Sequence, residues 1–355
     1  MATSSCPPSS SNMTILESRS SIPLVRSFPQ SPDPRLILLQ AEVESLDDAL
    51  ANKPGAKVPG RPLTSDYTSL DQKVRFMDAH RIDISVISLA NPWLDFLDAD
   101  VSGRFGTEVN QEFSDMCARH PGRLFFFGTL PLTAPLDTIR ASIAQLATLK
   151  YCRGVILGTS GLGNGLDDPK LLPIFEAVAA AGLTVFLHPH YGLPNAVWGP
   201  RAADYGHVLP SPSASLWKQP SPSRACTSPA GGTLPFLAGR IESCILHDGQ
   251  LVAEGKVGPD RRTVWDVLKE QVYLDAVIYS EVGLKAAIDA SGADRLMFGT
   301  DHPFFPPLQA NEKGLWESVS LNAEAVTKAV GEGSAEAKAI MGGNAVRILR
   351  LHEEA

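Results

Sequence analysis

Short apolar runs recur along the chain, separated by segments in which apolar residues return every three or four positions. Six of these runs are rich in β-branched or aromatic residues and finish at or near Gly or Pro. That pattern is typical of strands buried on both faces of a parallel sheet. The six predicted strands lie at residues 82–90, 124–131, 154–158, 184–187, 273–277 and 295–298.

The intervening segments have helical spacing. Residues 136–149 and 171–181 each place apolar side chains on one stripe, and residues 320–351 divide into two helices around Gly331 and Gly333. Strand followed by helix, repeated, predicts βαβ units and a parallel sheet. The predicted buried stripes are Ile139, Ile143 and Leu146 in the first helix and Leu172, Phe175, Val178 and Ala179 in the second.

A closed barrel of this type needs eight strands, and the apolar runs supply six. One strand is missing near the N terminus and another between residues 207 and 231. We therefore predict an α/β fold, a (β/α)8 TIM barrel that is incomplete at its first and sixth strands.

Two segments differ from the rest in composition. Residues 1–13 are rich in Ser and Pro, and residues 211–229 hold six Ser and four Pro among 19 positions. Neither has the period of a strand or a helix, and such composition indicates irregular chain. We predict a disordered N-terminal segment at 1–13 and one barrel domain at 14–355, with an irregular insert at 211–229.

The overall composition narrows the classes of binding partner to be expected. The chain has 355 residues, of which 44% are hydrophobic, and a net charge of −8. An acidic balance argues against nucleic acid or an anionic membrane as partner. No apolar run reaches the roughly 18 residues of a membrane span. We expect a small-molecule substrate, and the sequence leaves homo-oligomerisation open.

Cysteine usage suggests the compartment. The five cysteines include no CxxC pair, and Cys117 and Cys152 lie in apolar stretches, where a free thiol behaves as a small hydrophobe. The N terminus lacks the cationic start and apolar core of a secretory signal. These features favour a reducing, cytoplasmic location.

Two predicted strands run into side chains that bind metals. Residues 184–187 lead into His188 and His190, and residues 295–298 lead into Asp301. Barrel enzymes keep their chemistry at the C-terminal ends of strands, so His188 and Asp301 are candidate ligands or catalytic groups. Alternatively, His188 is a hydrogen-bonded rim histidine, and Asp301 caps the turn that follows it. His190 either joins His188 as a ligand or faces another way.

Other catalytic signatures are absent from the sequence. It has no HxH at a first strand, no Ser/His/Asp elbow, no P-loop and no GxGxxG before a helix. The Gly-x-Gly-x-Gly at 161–165 has a different spacing. His80 and His120 are predicted to be surface or helix-end residues.

Long stretches within residues 22–350 match the pattern of one family. They include SVISLANPWLDFL from Ser85, GRLFFFGTLPL from Gly122, FLHPHYGLPN from Phe186 and SGADRLMFGTDHPFFPP from Ser291. In these stretches the chain resembles the amidohydrolase-related decarboxylases typified by aminocarboxymuconate semialdehyde decarboxylase. Within that family it is most similar to the decarboxylases of uracil-5-carboxylate (isoorotate).

The resemblance implies a barrel of the metal-dependent hydrolase type, a single Zn²⁺ and non-oxidative loss of CO2 from a ring carboxylic acid. The family takes its ligands from an HxH on the first strand, a His on the fifth and an Asp on the eighth. His188 and Asp301 match the last two. Residues 9–13 stand where the HxH is expected, and Pro229 stands where a further active-site His is expected.

The resemblance also implies roles for single residues. Zn²⁺ would bind a carboxylate oxygen and the neighbouring ring oxygen of the substrate and act as a Lewis acid. Asp301 would be the catalytic acid that protonates the ring carbon carrying the carboxylate. Arg61 would hold the far polar edge of the substrate by a charge-assisted contact. Phe304 would stack on the ring.

Several functions stay open from the sequence. The leading one is decarboxylation of a uracil-5-carboxylate-like acid. A second is decarboxylation of a polyketide-derived aromatic acid such as 6-methylsalicylate or orsellinate. Others are hydrolysis by a metal-bound water, and a catalytically degenerate paralogue that binds a ligand without turning it over. The long matches and the Phe304–Phe305 pair favour a decarboxylase.

Overall fold

The structure of the protein is a computed structural model. The residues it describes are 66, 69–89, 93–95, 97–159, 161–163, 165–188, 234–307 and 314–352, together with the backbone of 13–16 and 225–227.

Eight parallel strands form one sheet in which spatial order follows chain order, β1 to β8. Because every strand runs the same way, all eight C-terminal ends lie at one edge of the sheet. We call this edge the carboxyl edge. The strands are Met13–Leu16 (β1), Ile82–Ser88 (β2), Leu124–Thr129 (β3), Cys152–Gly158 (β4), Thr184–His188 (β5), Ala225–Thr227 (β6), Val272–Asp275 (β7) and Leu296–Met297 (β8).

All six predicted strands are confirmed, and β1 and β6 correct the expectation that two strands are missing. They lie within or beside the Ser- and Pro-rich segments 1–13 and 211–229, where no extended apolar run marks a strand. Main-chain pairing to their neighbours holds them in the sheet instead. β6 lies inside the predicted insert 211–229, whose other residues, like residues 1–12, fall outside the described chain.

Helices follow most of the strands, as the periodicity predicted. The two C-terminal helices are confirmed, and Gly331 and Gly333 between them adopt positive φ. The helices are Leu70–His80 (α1), Ala99–Ala118 (α2), Leu136–Thr148 (α3), Leu172–Ala180 (α4), Leu234–Leu246 (α5), Gly249–Ala253 (α6), Val264–Glu270 (α7), Glu281–Ser291 (α8), Glu317–Val330 (α9), Ala335–Lys338 (α10) and Asn344–Ile348 (α11).

The two edge strands of the sheet are covered by a C-terminal segment. In the described residues no main-chain ladder joins β8 to β1, so the sheet is a curled, incomplete barrel. The π-helix Ala339–Gly343 contacts both strands, and its Ile340 carbonyl accepts a hydrogen bond from Phe298 N–H at 2.9 Å. An uncovered edge strand would offer its unpaired N–H and C=O groups to other chains, and the π-helix shields both edge strands from such pairing.

The core lies on both faces of the sheet. β3 is buried at every position, and its successive side chains point to opposite faces. On one face Phe126 stacks with Phe113 of α2 at a centroid distance of 5.8 Å, and on the other Phe127 stacks with Phe186 of β5 at 5.3 Å. The buried-strand prediction for this run is therefore confirmed in its packing.

The cysteine and helix-stripe predictions hold with one correction. Cys117 and Cys152 are buried and belong to no disulfide, and burial raises the pKa of the Cys152 thiol to about 11, which disfavours the reactive thiolate. The stripe of α3 is buried as predicted. In α4, Phe175 and Val178 are buried, but Leu172 and Ala179 are exposed, because Leu171 and Ile174 complete the buried face.

No helix in the described part of the chain is long and apolar enough to cross a membrane.

His80 ties the end of α1 to the segment before α9. Its Nε2 accepts a hydrogen bond from Trp316 N–H at 2.9 Å. Since Nε2 is the acceptor, the ring hydrogen lies on Nδ1, which donates to the Phe76 carbonyl at 2.9 Å. The helix-end prediction for His80 is confirmed, although the ring is half-buried rather than on the surface. Burial lowers the pKa of His80.

We expect His80→Leu to reduce the free energy of unfolding by about 1–3 kcal/mol, because it leaves two polar main-chain groups without their partner. The pKa of His80 is lower in the folded than in the unfolded protein. The stabilisation that the neutral His80 ring gives to the folded protein is therefore complete above the ordinary pKa of about 6.5. It is lost as the pH falls from there through the pKa of the folded protein. Denaturant unfolding across this range measures the difference between wild type and variant, which should shrink as the pH falls.

The matched control is His247→Leu. His247 makes the same bond from Nδ1 to the carbonyl four residues earlier, at 2.7 Å from Ser243, but its ring is exposed. We expect the effect of His247→Leu to be small, because the bond is exposed to solvent. A pH-independent effect of His80→Leu would contradict the assignment of a neutral, accepting ring.

Candidate active site

Polar side chains gather at the carboxyl edge of the sheet. His188 is the last residue of β5, Asp275 is the last residue of β7, and Asp301 follows shortly after β8. In (β/α)8 enzymes this edge carries the chemistry, whereas the opposite edge contributes stability. The predicted placement of His188 and Asp301 at strand ends is confirmed. Their convergence on one metal remains a prediction.

The His188 ring lies against aromatic side chains. Its ring is edge-on to Trp93 at a centroid distance of 5.9 Å and to Phe186 at 6.2 Å. The His188 carbonyl accepts a hydrogen bond from Thr159 N–H at 3.1 Å, which extends the pairing of β4 and β5 by one residue. The residue is half-buried. An imidazole held between aromatic rings in this way keeps a defined orientation while one side stays accessible.

Trp93 is a site residue that the sequence did not single out. It is 3% exposed and adopts a φ of 54°, a conformation that is strained for a bulky side chain. Such strain concentrates at functional sites. The stretch SVISLANPWLDFL was recognised as a family match, but a backbone dihedral angle has no signature in the sequence.

Asp301 occupies a tight turn after β8. Its φ is 56°, in the left-handed region, and its carbonyl accepts a hydrogen bond from Phe304 N–H at 2.6 Å. Thr300, 1% exposed, accepts from His302 N–H through Oγ1 at 3.3 Å. The turn predicted at this point is present, and the main-chain carbonyl of Asp301 closes it. Asp301 itself is half-buried.

His302, beside Asp301, is directed into the core. Its ring is 1% exposed and packs on Phe76 at 3.8 Å and on Trp316 at 4.5 Å, measured between ring centroids. These contacts anchor the turn to α1 and to the start of α9. The sequence placed this histidine in the family motif but gave no sign of its burial.

Aromatic rings surround the turn on its other side. Phe304 is half-buried and perpendicular to Phe305 at 4.8 Å, and Phe305 is perpendicular to Tyr279 at 5.7 Å. Edge-to-face arrangements of this kind are favourable for aromatic pairs. They place three rings at the ends of β7 and β8, consistent with a wall for a flat substrate.

Asp275 is a second residue that sequence reasoning passed over. It is 3% exposed, and its Oδ1 accepts a hydrogen bond from Val277 N–H at 2.9 Å. A Cβ atom at Gly299 would lie 2.5 Å from that oxygen and 2.6 Å from Val277 Cγ2. Gly299 is therefore the residue that lets the β8 end approach the β7 end.

The described residues supply an incomplete set of metal ligands. Within that part of the chain, no three His, Cys, Asp or Glu side chains are grouped so that they could hold a metal ion. His188 and Asp301 offer an imidazole and a carboxylate, both of which Zn²⁺ accepts, but a catalytic Zn²⁺ usually has three protein ligands. His190, Arg61 and Pro229 lie outside the described residues.

A curled sheet of eight parallel strands with polar groups at its carboxyl edge defines a protein of the TIM-barrel class, in which active sites lie at the strand ends. A family model described as amidohydrolase matches residues 62–228 and 238–351, and the chain belongs to that family.

Known relatives share the fold over most of their length. The isoorotate decarboxylase (IDCase) of Metarhizium anisopliae, solved in apo form, is 66% identical, with a TM-score of 0.84 over 97% of this chain and 98% of that one. A 2-amino-3-carboxymuconate-6-semialdehyde decarboxylase from Dictyostelium discoideum is 25% identical over 86% of this chain and 84% of its own length. A 5-carboxyvanillate decarboxylase from Novosphingobium aromaticivorans, solved with manganese, is 18% identical, with a TM-score of 0.71 over 96% of each chain.

We expect Gly299→Ala to lower the free energy of unfolding by about 1–3 kcal/mol, because the added methyl group overpacks against Asp275 and Val277. Thermal or denaturant unfolding measures the loss. Gly249→Ala is the control, since a Cβ there meets nothing within 4 Å and φ is not positive. That substitution should be neutral or slightly stabilising. Equal stabilities of the two variants would contradict the close approach of β7 and β8.

Proposed function

We propose that this protein is a metal-dependent, non-oxidative decarboxylase of a ring carboxylic acid, with uracil-5-carboxylate as the leading substrate. The observation that carries the proposal is the 66% identity to isoorotate decarboxylase of Metarhizium anisopliae across 97% of the chain. Membership of the amidohydrolase family and the polar groups at the carboxyl edge support it. A cytoplasmic location and a single Zn²⁺ are part of the same proposal.

His188 and Asp301 are the proposed metal-binding residues, and further ligands would have to come from outside the described residues. Bound there, Zn²⁺ would supply Lewis-acid stabilisation of negative charge. Phe304 is proposed to stack on the substrate ring, in keeping with its place in the aromatic group beside Asp301. Arg61 is proposed to bind the polar edge of the ring that lies away from the carboxylate.

Asp301 is the proposed general acid. Its carboxylic acid O–H would give a proton to the ring carbon that carries the carboxylate. The bond from that carbon to the carboxylate then breaks, its electron pair returns to the ring, and CO2 leaves. Water returns a proton to the Asp301 carboxylate. The half-buried position of Asp301 in its turn suits a group that contacts substrate and is then reprotonated from solvent.

A polyketide-derived aromatic acid such as 6-methylsalicylate or orsellinate is the second candidate substrate. Curated relatives include a γ-resorcylate decarboxylase from Rhizobium radiobacter, 24% identical over 66% of this chain and 76% of its own length. The aromatic group of Phe304, Phe305 and Tyr279 offers a wall that suits either kind of ring. Relative rates of CO2 release from the three acids decide between the candidates.

The incomplete ligand set predicts weak metal binding. We expect the chain to bind Zn²⁺ weakly and to release CO2 close to the uncatalysed rate. An N-terminal extension that carries an HxH strand, combined with a segment that supplies a His near position 229, should raise the affinity for Zn²⁺ and the rate of CO2 release. Metal competition titration and CO2 release before and after these additions measure the effect. Full activity without them would contradict the ligand assignment, and no turnover of any ring acid with them would favour the degenerate paralogue.

Two substitutions in the extended protein separate the proposed roles. Asp301→Asn should reduce turnover by about 100-fold or more, since an amide supplies neither the proton nor the negative charge to the metal. Arg61→Ala should raise KM and leave metal content unchanged. An Asp301→Asn variant with wild-type kcat would exclude Asp301 as the acid.

A further inference from the structure

Asn322 of α9 bridges the ends of β7 and β8 with a single side chain. Its Nδ2 donates to the Gly299 carbonyl at 2.8 Å, and its Oδ1 accepts from the N–H groups of Ile278 at 3.1 Å and Tyr279 at 3.0 Å. The residue is 0% exposed. One amide group therefore satisfies three main-chain groups that no strand ladder pairs at this edge.

The bridge lies beside two residues with strained backbone. Tyr279 has a φ of 57°, and Asp301 has a φ of 56°. The N–H of Tyr279 is itself bonded to Asn322, and Asp301 lies two residues beyond the bonded Gly299 carbonyl. A left-handed conformation persists at such residues only when the surroundings enforce it. The hydrogen bonds of Asn322 link the backbone at Tyr279 to the backbone two residues before Asp301.

The same strand has a matched constraint at its opposite end. Asn344 donates from Nδ2 to the carbonyls of Ala293 and Leu296, each at 2.8 Å, and is 3% exposed. Two buried asparagines therefore hold β8, one at each end. Only the bridge of Asn322 lies at the carboxyl edge, where barrel proteins place their chemistry.

We propose that Asn322 is a positioning residue that holds Asp301 in the active site by fixing the end of β8 to the end of β7. This inference rests on the proposed role of Asp301, but the geometric effect is independent of it. Asn322 is fully buried, and the groups that its side chain bonds belong to the main chain. Its influence passes through the Gly299 carbonyl and the two residues that follow.

The test compares Asn322→Asp with Asn344→Asp in the full chain. Each change removes the amide donor at one end of β8 and leaves an oxygen that still accepts. Asn322→Asp loses the bond to Gly299, whereas Asn344→Asp loses the bonds to Ala293 and Leu296 and keeps an acceptor for Arg347. Crystal structures are the first readout. We expect Asn322→Asp to displace Asp301 and leave Ile278 and Tyr279 in place, whereas Asn344→Asp should leave Asp301 where it is. Asp301 unmoved in Asn322→Asp would overturn the proposal, whatever the protein catalyses.

Cobalt binding is the second readout, because the visible spectrum of Co²⁺ reports the geometry of its ligands. We expect Asn322→Asp to weaken Co²⁺ binding by about tenfold and to alter the spectrum, and Asn344→Asp to change binding less than about twofold. Equal effects of the two variants would mean a purely structural role for Asn322. Asp301→Asn tests the metal role separately: if Co²⁺ binds to it as to wild type, that part of the proposed function fails, and the crystallographic result still decides the role of Asn322.

Melting temperatures and one further variant control for effects of these substitutions on folding. Melting temperatures of both Asp variants should fall, because each loses a buried amide donor. Asn322→Ser, which shortens the side chain without adding charge, replaces Asn322→Asp if the latter does not fold. Asn322→Ser should displace Asp301 in the same direction, and an unmoved Asp301 in that variant would equally overturn the proposal.

Discussion

The structure depends on the need to satisfy main-chain polar groups where the parallel strands end. Beyond the last ladder bond, each strand exposes N–H and C=O groups that have to find partners once they are buried. In this protein buried asparagines from the surrounding helices supply several of them. Asn110 of α2 bonds both the N–H and the carbonyl of Thr129 at the end of β3, and Asn322 of α9 does the equivalent for β7 and β8. Helices thereby determine where the chain turns at the carboxyl edge.

Strain is concentrated at the same edge. Among non-glycine residues of the described chain with positive φ, Trp93, Tyr279 and Asp301 all follow the ends of strands β2, β7 and β8. Each is enclosed by packing or hydrogen bonds: Trp93 by the His188 ring, Tyr279 by Asn322, and Asp301 by its turn to Phe304. Residues in such conformations persist where the surroundings over-determine them, which is how a rigid site is prepared before substrate arrives.

The amino-acid pattern predicted the parts of this fold that rest on burial. Apolar runs identified six of the strands, and the strand ends located His188 and Asp301. β1 and β6 escaped because they lie within or beside Ser- and Pro-rich sequence and are held by main-chain pairing, which leaves no apolar run to mark them. The exposure of Leu172 was mispredicted because its neighbour Leu171 takes the buried position.

Trp93 and Asn322 escaped for a different reason. Their roles depend on a backbone angle and on hydrogen bonds between residues more than 20 positions apart, such as that from Asn322 to the Gly299 carbonyl. No local pattern encodes either property. Asp275 lies inside the predicted strand 273–277, and the sequence does not show that its side chain occupies the space where a Cβ of residue 299 would stand.

His188 and Asp301 are proposed to form one metal site at the carboxyl edge. Anomalous diffraction at the zinc absorption edge, from crystals soaked in Zn²⁺, tests this proposal. We expect one anomalous peak about 2.0–2.2 Å from a ring nitrogen of His188 and from a carboxylate oxygen of Asp301. A peak bound elsewhere, or His188 and Asp301 on opposite faces of the sheet, would contradict it.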